Sequence, residues 1–315
     1  MPRRALGSLR WLARHALGAV VVLWLVATAI FLGIRAIPGD PAEAIMGGPG
    51  SQASEEALAA ARAQHGLDRP LGVQYLIFLG NIARLDFGSS YALRTPVTEV
   101  MGDVLPATLR LAVIALVLAW VLALGFALVS LRAGAIGRHV STLLEIVAAA
   151  VPHFWLGSVL ILIFSSALGW LPSVNDGTTA GLILPAATLA LPLAGFLAQV
   201  MRDSLTTAMG SEFALAARAR GASRSSVFWR HGLRHASLPA VNLSGWAFSS
   251  LLSGAVVVEA VFARPGLGRA LLSAVLSRDI PMVTGIAIFS ALIYIVVMAL
   301  AEAAERALDP ERSHA

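Results

Sequence analysis

The stretch LAVIALVLAWVLALGFALVSL, from Leu111 to Leu131, carries no charged residue. About 20 apolar residues rising ~1.5 Å each cross a hydrocarbon core of ~30 Å, so this run reads as a membrane-spanning helix. Similar stretches run from Ala16 to Ile34, Leu143 to Leu168, Leu182 to Val200, Val241 to Val261 and Val283 to Ala301. Lipid offers no partner for backbone N–H and C=O groups, so spans of this kind must be helices. The reading is an all-α integral membrane protein with six transmembrane helices.

The composition agrees with a lipid environment. Of 315 residues, 57% are apolar and 13% charged, with a mean hydropathy of +0.78. Soluble domains carry roughly a quarter charged residues. Six spans leave no room for a large soluble enzyme domain. All 23 basic residues are Arg, because the chain contains no Lys. The phosphate-cradling loop G-x-x-x-x-G-K-[ST] needs its Lys, so this chain does not hold one, and any ATP that drives it is bound by another subunit. The lack of Cys removes disulfides, thiolate metal sites and thiol nucleophiles and leaves the compartment undetermined. No H-E-x-x-H or G-x-S-x-G motif is present, and the seven His are scattered. The net charge of +5 and pI near 10.8 fit cytoplasmic loops of a membrane protein better than a nucleic-acid surface.

Arg3, Arg4, Arg10 and Arg14 precede the first apolar stretch. A cleaved signal has an apolar core of about 7–15 residues, and this one is longer, so it reads as a retained first span. Arg132, Arg138, Arg202, Arg218, Arg220, Arg224, Arg230, Arg234, Arg306 and Arg312 fall on the same side as those four. An Arg excess marks the cytoplasmic face, which predicts that both termini are cytoplasmic. Pro152, Pro185, Pro192, Gly195 and Gly254 inside the spans suggest kinks facing the bundle or a pathway.

The segment Pro38 to Leu105 is polar enough to read as an extracytoplasmic region between the first two spans. Pro38-Gly39-Asp40-Pro41 has turn chemistry. Ser54 is placed to cap a short helix bearing Glu55 and Glu56 in its first turn and stopping at Gly66.

The stretch Arg202 to Pro239 is long, basic and on the predicted cytoplasmic side. It reads as two short helices. Ser211 is placed as an N-cap with Glu212 behind it, Phe213, Ala214, Ala216 and Ala217 follow, and Gly221 ends the first helix. Ser223 starts the second, with Val227, Phe228 and Leu233 apolar and Arg230 and Arg234 spaced to share a face. A basic hairpin of this kind can lie on anionic lipid. It can equally dock into a groove on a cytoplasmic partner, where small Ala side chains permit close approach and Phe213 anchors.

Ala216-Ala217-Arg218-Ala219-Arg220-Gly221, followed by Arg230-His231-Gly232-Leu233-Arg234-His235-Ala236-Ser237-Leu238-Pro239, resembles the cytoplasmic signature loop of binding-protein-dependent ABC transporter permeases. The resemblance is to the dipeptide, oligopeptide and nickel importer branch, and to its first-permease type of subunit. Leu215 stands where the wider family has Glu, and the interval to Pro239 is longer, both usual in that branch. Arg35 to Pro41, Gly66 to Pro70 with Gln74-Tyr75, Asp86 to Ser90, Leu105 to Leu109, Gly254 to Glu259 with Phe262 and Pro265 to Gly268, and Asp309-Pro310 resemble further family segments in order.

The resemblance implies a type I ABC importer fold and a bacterial inner-membrane, multi-pass subunit that is not itself an enzyme. Residues 1–96 would form the first helix and extracytoplasmic region, 97–308 the transmembrane core with the coupling loop 202–239, and 309–315 a cytoplasmic tail. The implied partners are a second homologous permease, two cytoplasmic ATPases holding ATP and Mg, an extracytoplasmic substrate-binding protein and the bilayer, with no nucleic acid and no cofactor in this chain. The cargo would be a peptide or a related small solute, including nickel or a glycoside. ATPase contact is expected from Glu212, Phe213, Ala216, Ala217, Arg218, Gly221 and Ser223.

Ionisable residues within spans are functional candidates. Glu145 lies near the cytoplasmic end of the third span, where it can pair with Arg138 or face a pathway. His153, beside Pro152, faces a pathway or packs through a hydrogen bond. Glu259, near the outer end of the fifth span, gates the outer mouth or pairs with Arg264 or Arg269. Pro152, His153 and Glu259 are the pathway or gate candidates. An ion-gradient-driven secondary transporter is the alternative class, although such proteins place ionisable groups near the midplane and often show internal repeats, absent here. A non-transporting membrane scaffold is a third class.

Overall fold

The computed structural model describes the backbone of residues 2–36, 39–46, 53–132, 135–174 and 177–308. Pro38 of the expected turn and the tail 309–315, with Asp309-Pro310, lie outside the described residues. In chain order the helices are α1 (Pro2–Ala36), α2 (Pro41–Ile45), α3 (Glu55–Gln64), α4 (Leu71–Ala83), α5 (Val97–Arg132), α6 (Ala135–Ala150) and α7 (His153–Leu160). There follow α8 (Ile183–Gly210), α9 (Glu212–Ala219), α10 (Arg224–Val227), α11 (Leu233–Val261), α12 (Leu267–Leu276) and α13 (Ile280–Leu308). Among the described residues β pairing is limited to an isolated bridge between Ser89 and Pro96.

Five helical stretches are long and apolar enough to cross a bilayer: Ala13–Ala36, Val97–Val129, Ala180–Gly210, Leu243–Val261 and Ile280–Ala303. The third predicted span differs from the others. It is a pair, His139–Ala150 and His153–Ala167, bent by 107°. The cause is Pro152, which has no N–H to donate and disfavours helical geometry at the residue before it. Pro152 instead sits extended (φ −64, ψ 137) at the N-terminus of α7. Counting the pair once gives six crossings.

The chain packs as two compact units. The first comprises residues up to Pro106 together with Pro265–Val296. Its core joins Ala27 of α1, Val97 and Met101 of α5, Leu267 and Ala274 of α12, and Met282 and Ile286 of α13. The region between the first two spans is less uniformly polar than expected. Ser54 caps α3 as predicted, its Oγ accepting from Ala57 N at 3.2 Å, and Gly66 follows the helix at φ +64. Asp40 accepts from Ala42 N and Arg62 Nε, both at 2.9 Å, which ties α2 to α3. The Ala42 backbone donor, then Arg62, hold the Asp40 carboxyl below its ordinary value. Helix α4, however, is apolar and uncharged, and its 13 residues are too few to span. It packs on α1 through Thr28 Oγ1 and Tyr75 Oη at 2.6 Å and through Phe31, whose ring lies 5.0 Å from Tyr75 and 5.5 Å from Phe78.

Asp279, buried at the start of α13, fastens the loop before α5. It accepts from Ser90 Oγ at 2.5 Å and Ala92 N at 3.2 Å, while its other oxygen accepts from Met282 N at 3.3 Å. Burial, reinforced by the Asp279 charge, pushes the Tyr91 phenol up to about 12.

The second unit comprises Ala107–Arg264 and the residues from Val297 onward. Ala112, Ala115, Ala119 and Ala123 form one stripe of α5, and they share a core with Leu189, Ala190, Leu193, Ala194, Leu197 and Ala198 of α8 and with Ala247, Leu251 and Val258 of α11. Lipid tails are as apolar as Leu, so helices associate in a membrane by close packing, which small side chains permit.

Candidate functional site

Helix α8 carries the basic segment as a rigid extension. It runs on through Arg202 to Gly210, and Ser211 turns the chain (φ −72, ψ 162) into α9. Ser211 occupies the cap position but does not cap α9, because its hydroxyl donates back to Ala208 O at 2.6 Å. Gly221 ends α9 at φ +87, as its expected role requires, with Ala222 N donating to Ala217 O at 3.1 Å. Only glycine adopts that backbone without strain against a Cβ. Ser223 begins the second helix, its Oγ accepting from Ser226 N at 3.2 Å.

The faces of α9 divide the predicted contact residues. Ala214, Ala217 and Val227 are buried together and hold the two short helices against each other. Ala217, expected at the contact surface, is therefore corrected to a packing residue. Glu212, Phe213 and Ala216 are exposed, as is Leu215, which sequence reasoning passed over. Its signal was an apolar residue where the wider family has Glu. Arg218 folds back, donating from Nη2 to Met209 O at 3.2 Å and from Nε to Ala214 O at 3.4 Å. It thereby satisfies a carbonyl near the end of α8 that lacks an intrahelical donor. The side chains of Leu233 and Arg234 lie outside the described residues. Phe228–Gly232 forms a π-helical turn leading into α11, with Phe228 buried and Arg230 exposed.

About 12 Å up α8 from its end, Arg202 meets Glu145 of α6. Glu145 is fully buried, and Arg202 Nη1 donates to its Oε2 while also donating to Thr142 Oγ1 at 2.8 Å. Ser141 Oγ donates to the other carboxylate oxygen at 3.2 Å. Glu145 thus pairs with Arg202, and the side chain of Arg138, the partner expected from sequence, lies outside the described residues. The pairing was legible in principle, since both residues sit toward the same predicted face of consecutive spans. Two turns deeper α6 and α8 nearly touch. A Cβ added to Gly195 would lie 2.5 Å from the Glu145 carbonyl oxygen and 2.9 Å from Ala149 N.

Beyond the bend, α7 packs on α8 and α11. A Cβ on Gly157 would meet Phe262 at 3.2 Å, Val261 at 3.4 Å and Thr188 at 3.5 Å, and one on Gly254 would lie 3.4 Å from His153 Nε2. Pro152 is exposed and His153 is half-buried. Among the described residues His153 makes no hydrogen bond.

Glu259 is fully buried near the C-terminus of α11. Its Oε1 accepts from Thr108 Oγ1 at 2.6 Å, and its carbonyl accepts from Arg264 N at 2.8 Å. Burial lowers the Arg264 guanidinium's hold on its proton, and the Glu259 charge opposes this. Glu145 and Glu259 sit at opposite ends of the unit's helices, and His153 stands apart from both. The arrangement contains two separate polar fastenings. Among the described residues no group of three His, Asp or Glu is placed to hold a metal ion.

A family model described as the binding-protein-dependent transport system inner membrane component matches residues 115–314, and a model of the N-terminal part of such components matches residues 8–112. A Brucella abortus (strain 2308) protein named as a peptide transport system permease is 35% identical over 302 residues, covering 93% of this chain and 95% of that protein. A glutathione transport system permease protein of Salmonella choleraesuis is 34% identical over 307 residues, covering 96% and 98%. Among solved structures, the MetNI methionine ABC transporter in an inward-facing form shares the fold with a TM-score of 0.58 at 16% identity, over 67% of this chain and 96% of that one. An amino acid ABC transporter shares it at 0.53 and 18%, over 66% and 94%. The chain belongs to the binding-protein-dependent transport system inner membrane components, the membrane-embedded permease subunits of ABC importers.

Proposed function

We propose that this chain pairs with a second, homologous permease to form the pathway by which a short peptide enters the cell, delivered by an extracytoplasmic binding protein and driven by two cytoplasmic ATPases that hold ATP and Mg. The names of the relatives, peptide and glutathione permeases, favour a peptide or peptide-like cargo over nickel. The observation that carries the coupling role is the exposed face of α9, with Glu212, Phe213, Leu215 and Ala216 at the end of a continuous α8. Gly221 and Ser223 shape that hairpin, and Arg218 secures it. Family membership favours this reading over an ion-driven secondary transporter.

In this reading residues 1–96 form the first helix and extracytoplasmic region, 97–308 the core and 309–315 a cytoplasmic tail, with both termini inside. The ATP-bound ATPase pair must prefer one arrangement of the bundle, because a loop that docks equally well in both states biases nothing. Displacement of α9 reaches α6 through Arg202–Glu145 and from there the bend at Pro152 beside His153. Glu259, bound to Thr108, serves the outer closure.

The test is to purify the tagged chain in mild detergent from its host and identify its companions, with and without a non-hydrolysable ATP analogue. A P-loop ATPase and a second six-span protein are expected, with the ATPase lost on Phe213→Asp while the second permease stays. A chain that purifies alone and supports ion-gradient-driven uptake in liposomes would overturn the assignment.

A further inference from the structure

Helix α4 has no charged residue, yet Leu71, Val73, Leu76 and Ile77 are exposed on it. Such a surface is at home in lipid rather than water. Its position on α1 gives the depth. Tyr75 meets Thr28, eight residues before the end of the Ala13–Ala36 span, or about 12 Å along the axis. The 24-residue span measures about 36 Å against a hydrocarbon core of ~30 Å, so the contact lies inside the hydrocarbon rather than above it.

A cavity of about 550 Å³ opens among α1, α4, the loop 86–94 and the start of α13. Phe31, Ile34, Ile77, Phe78 and Ile82 give it apolar walls. Arg35 and Arg94 supply positive charge, with Asp86 the acid in the lining. Arg35 is held in place, its guanidinium lying 3.5 Å from the Phe31 ring centroid and donating to Gln74 Oε1, whose amide nitrogen is fixed by Leu67 O and Arg69 O. Arg94 is exposed and makes no ion pair among the described residues. Asp86 is engaged by Gly88 N at 3.0 Å. Thr284, also in the wall, has a buried hydroxyl with no hydrogen-bond partner among the described residues.

An apolar wall at the edge of the hydrocarbon and cations toward the end of the span match one class of molecule. We infer that this cavity holds a membrane glycerophospholipid, its acyl chain against Phe31, Phe78 and Ile82 and its phosphate near Arg35 and Arg94. A cavity of this size falls within the roughly 300–1,000 Å³ of small-molecule sites, so it takes the glycerol region and the upper part of one chain while the rest stays in the bilayer. The bound lipid fills the gap between α4 and the bundle and makes this region sensitive to lipid composition, independently of cargo and of the ATPases.

The experiment reconstitutes the complex in nanodiscs containing phosphatidylglycerol with a photoactivatable group on its acyl chain, and maps the crosslinks by mass spectrometry. Labelling of Phe31–Arg35 and Ile77–Ile82 should exceed that of the lipid-facing stretch Leu17–Trp24 several-fold. Ile82→Trp, which fills the cavity, should abolish the excess, whereas Leu76→Trp on the exposed side of α4 should preserve it. Arg94→Glu, at the exposed rim where folding is not at stake, should reduce labelling by the anionic probe relative to a phosphatidylcholine probe. Even labelling along α1, or an excess that survives Ile82→Trp and is indifferent to Arg94→Glu, means annular lipid only and overturns the proposal.

Discussion

Gly221 and Arg202 are the residues at which a small change has the largest expected effect. At Gly221, φ is +87 and a Cβ would meet no atom within 4 Å, so substitution is opposed by backbone conformation rather than by crowding. Left-handed geometry costs a non-glycine residue about 1–2 kcal/mol, enough to reset the turn of a two-helix hairpin. Gly221→Asp is expected to insert and assemble normally in membranes but to lose uptake; normal transport by that variant would remove the hairpin from the coupling route. At Arg202 the issue is charge. Removing one partner of a buried pair typically costs about 3–5 kcal/mol, because the other charge is left uncompensated. Arg202→Gln should lower the unfolding midpoint in a detergent titration markedly, and Glu145→Gln combined with it should recover most of the loss. If the double variant is no better than the single, the two side chains do not act as a pair.

At the scale of the helices, much was legible because lipid leaves few choices. The five straight spans, the cap at Ser54 and the stop at Gly221 follow from apolar length, hydroxyl placement and glycine, all local properties. What was not legible depends on partners distant in sequence. The burial of Ala217 is set by Val227 across the hairpin, and nothing in the run Glu212 to Ala219 says which Ala face turns inward. The apolar helix α4 was absorbed into a region read as polar, since its 13 residues fall short of a span and average out among charged neighbours. Pro152 announced a kink, but its 107° magnitude reflects how α7 settles on α8 and α11.

The loop before α5 provides a titratable check on the same scale. Tyr91 has its phenol raised from 10.0 to about 12 by burial and by Asp279, so the folded state holds that proton more tightly than the unfolded chain. Its stabilising contribution is complete below pH ~10 and is lost as pH rises through the folded value. Tyr91→Phe should remove the amplitude of one tyrosine from a phenolate absorbance titration in the region near pH 12. An unchanged curve would place Tyr91 in water.

For the molecule as a whole, orientation is the property most open to direct measurement, and the absence of Cys makes it simple. Ser54→Cys in the region between the first two spans and Ala219→Cys on α9, both at exposed positions, give single thiols on opposite predicted sides. A membrane-impermeant maleimide should label the first in intact cells, and the second only after permeabilisation. The reverse pattern would invert the proposed topology and place the α9 hairpin beyond the reach of cytoplasmic ATPases.

The bend at Pro152 also bears on how the protein is made. Its halves, His139–Ala150 and His153–Ala167, would measure roughly 18 and 22 Å if straight, each less than the ~30 Å a lone helix needs to cross. Glu145 emerges from the ribosome well before Arg202, so its counter-charge does not yet exist when the insertion machinery first meets the third span. That segment is expected to wait at the insertion channel until α8 arrives, and the two to enter lipid as one unit. Ribosome-stalled chains ending before Leu182 should leave the third span accessible to the aqueous phase, and chains extended past Gly210 should not, making biogenesis here a matter of synthesis order as well as hydrophobicity.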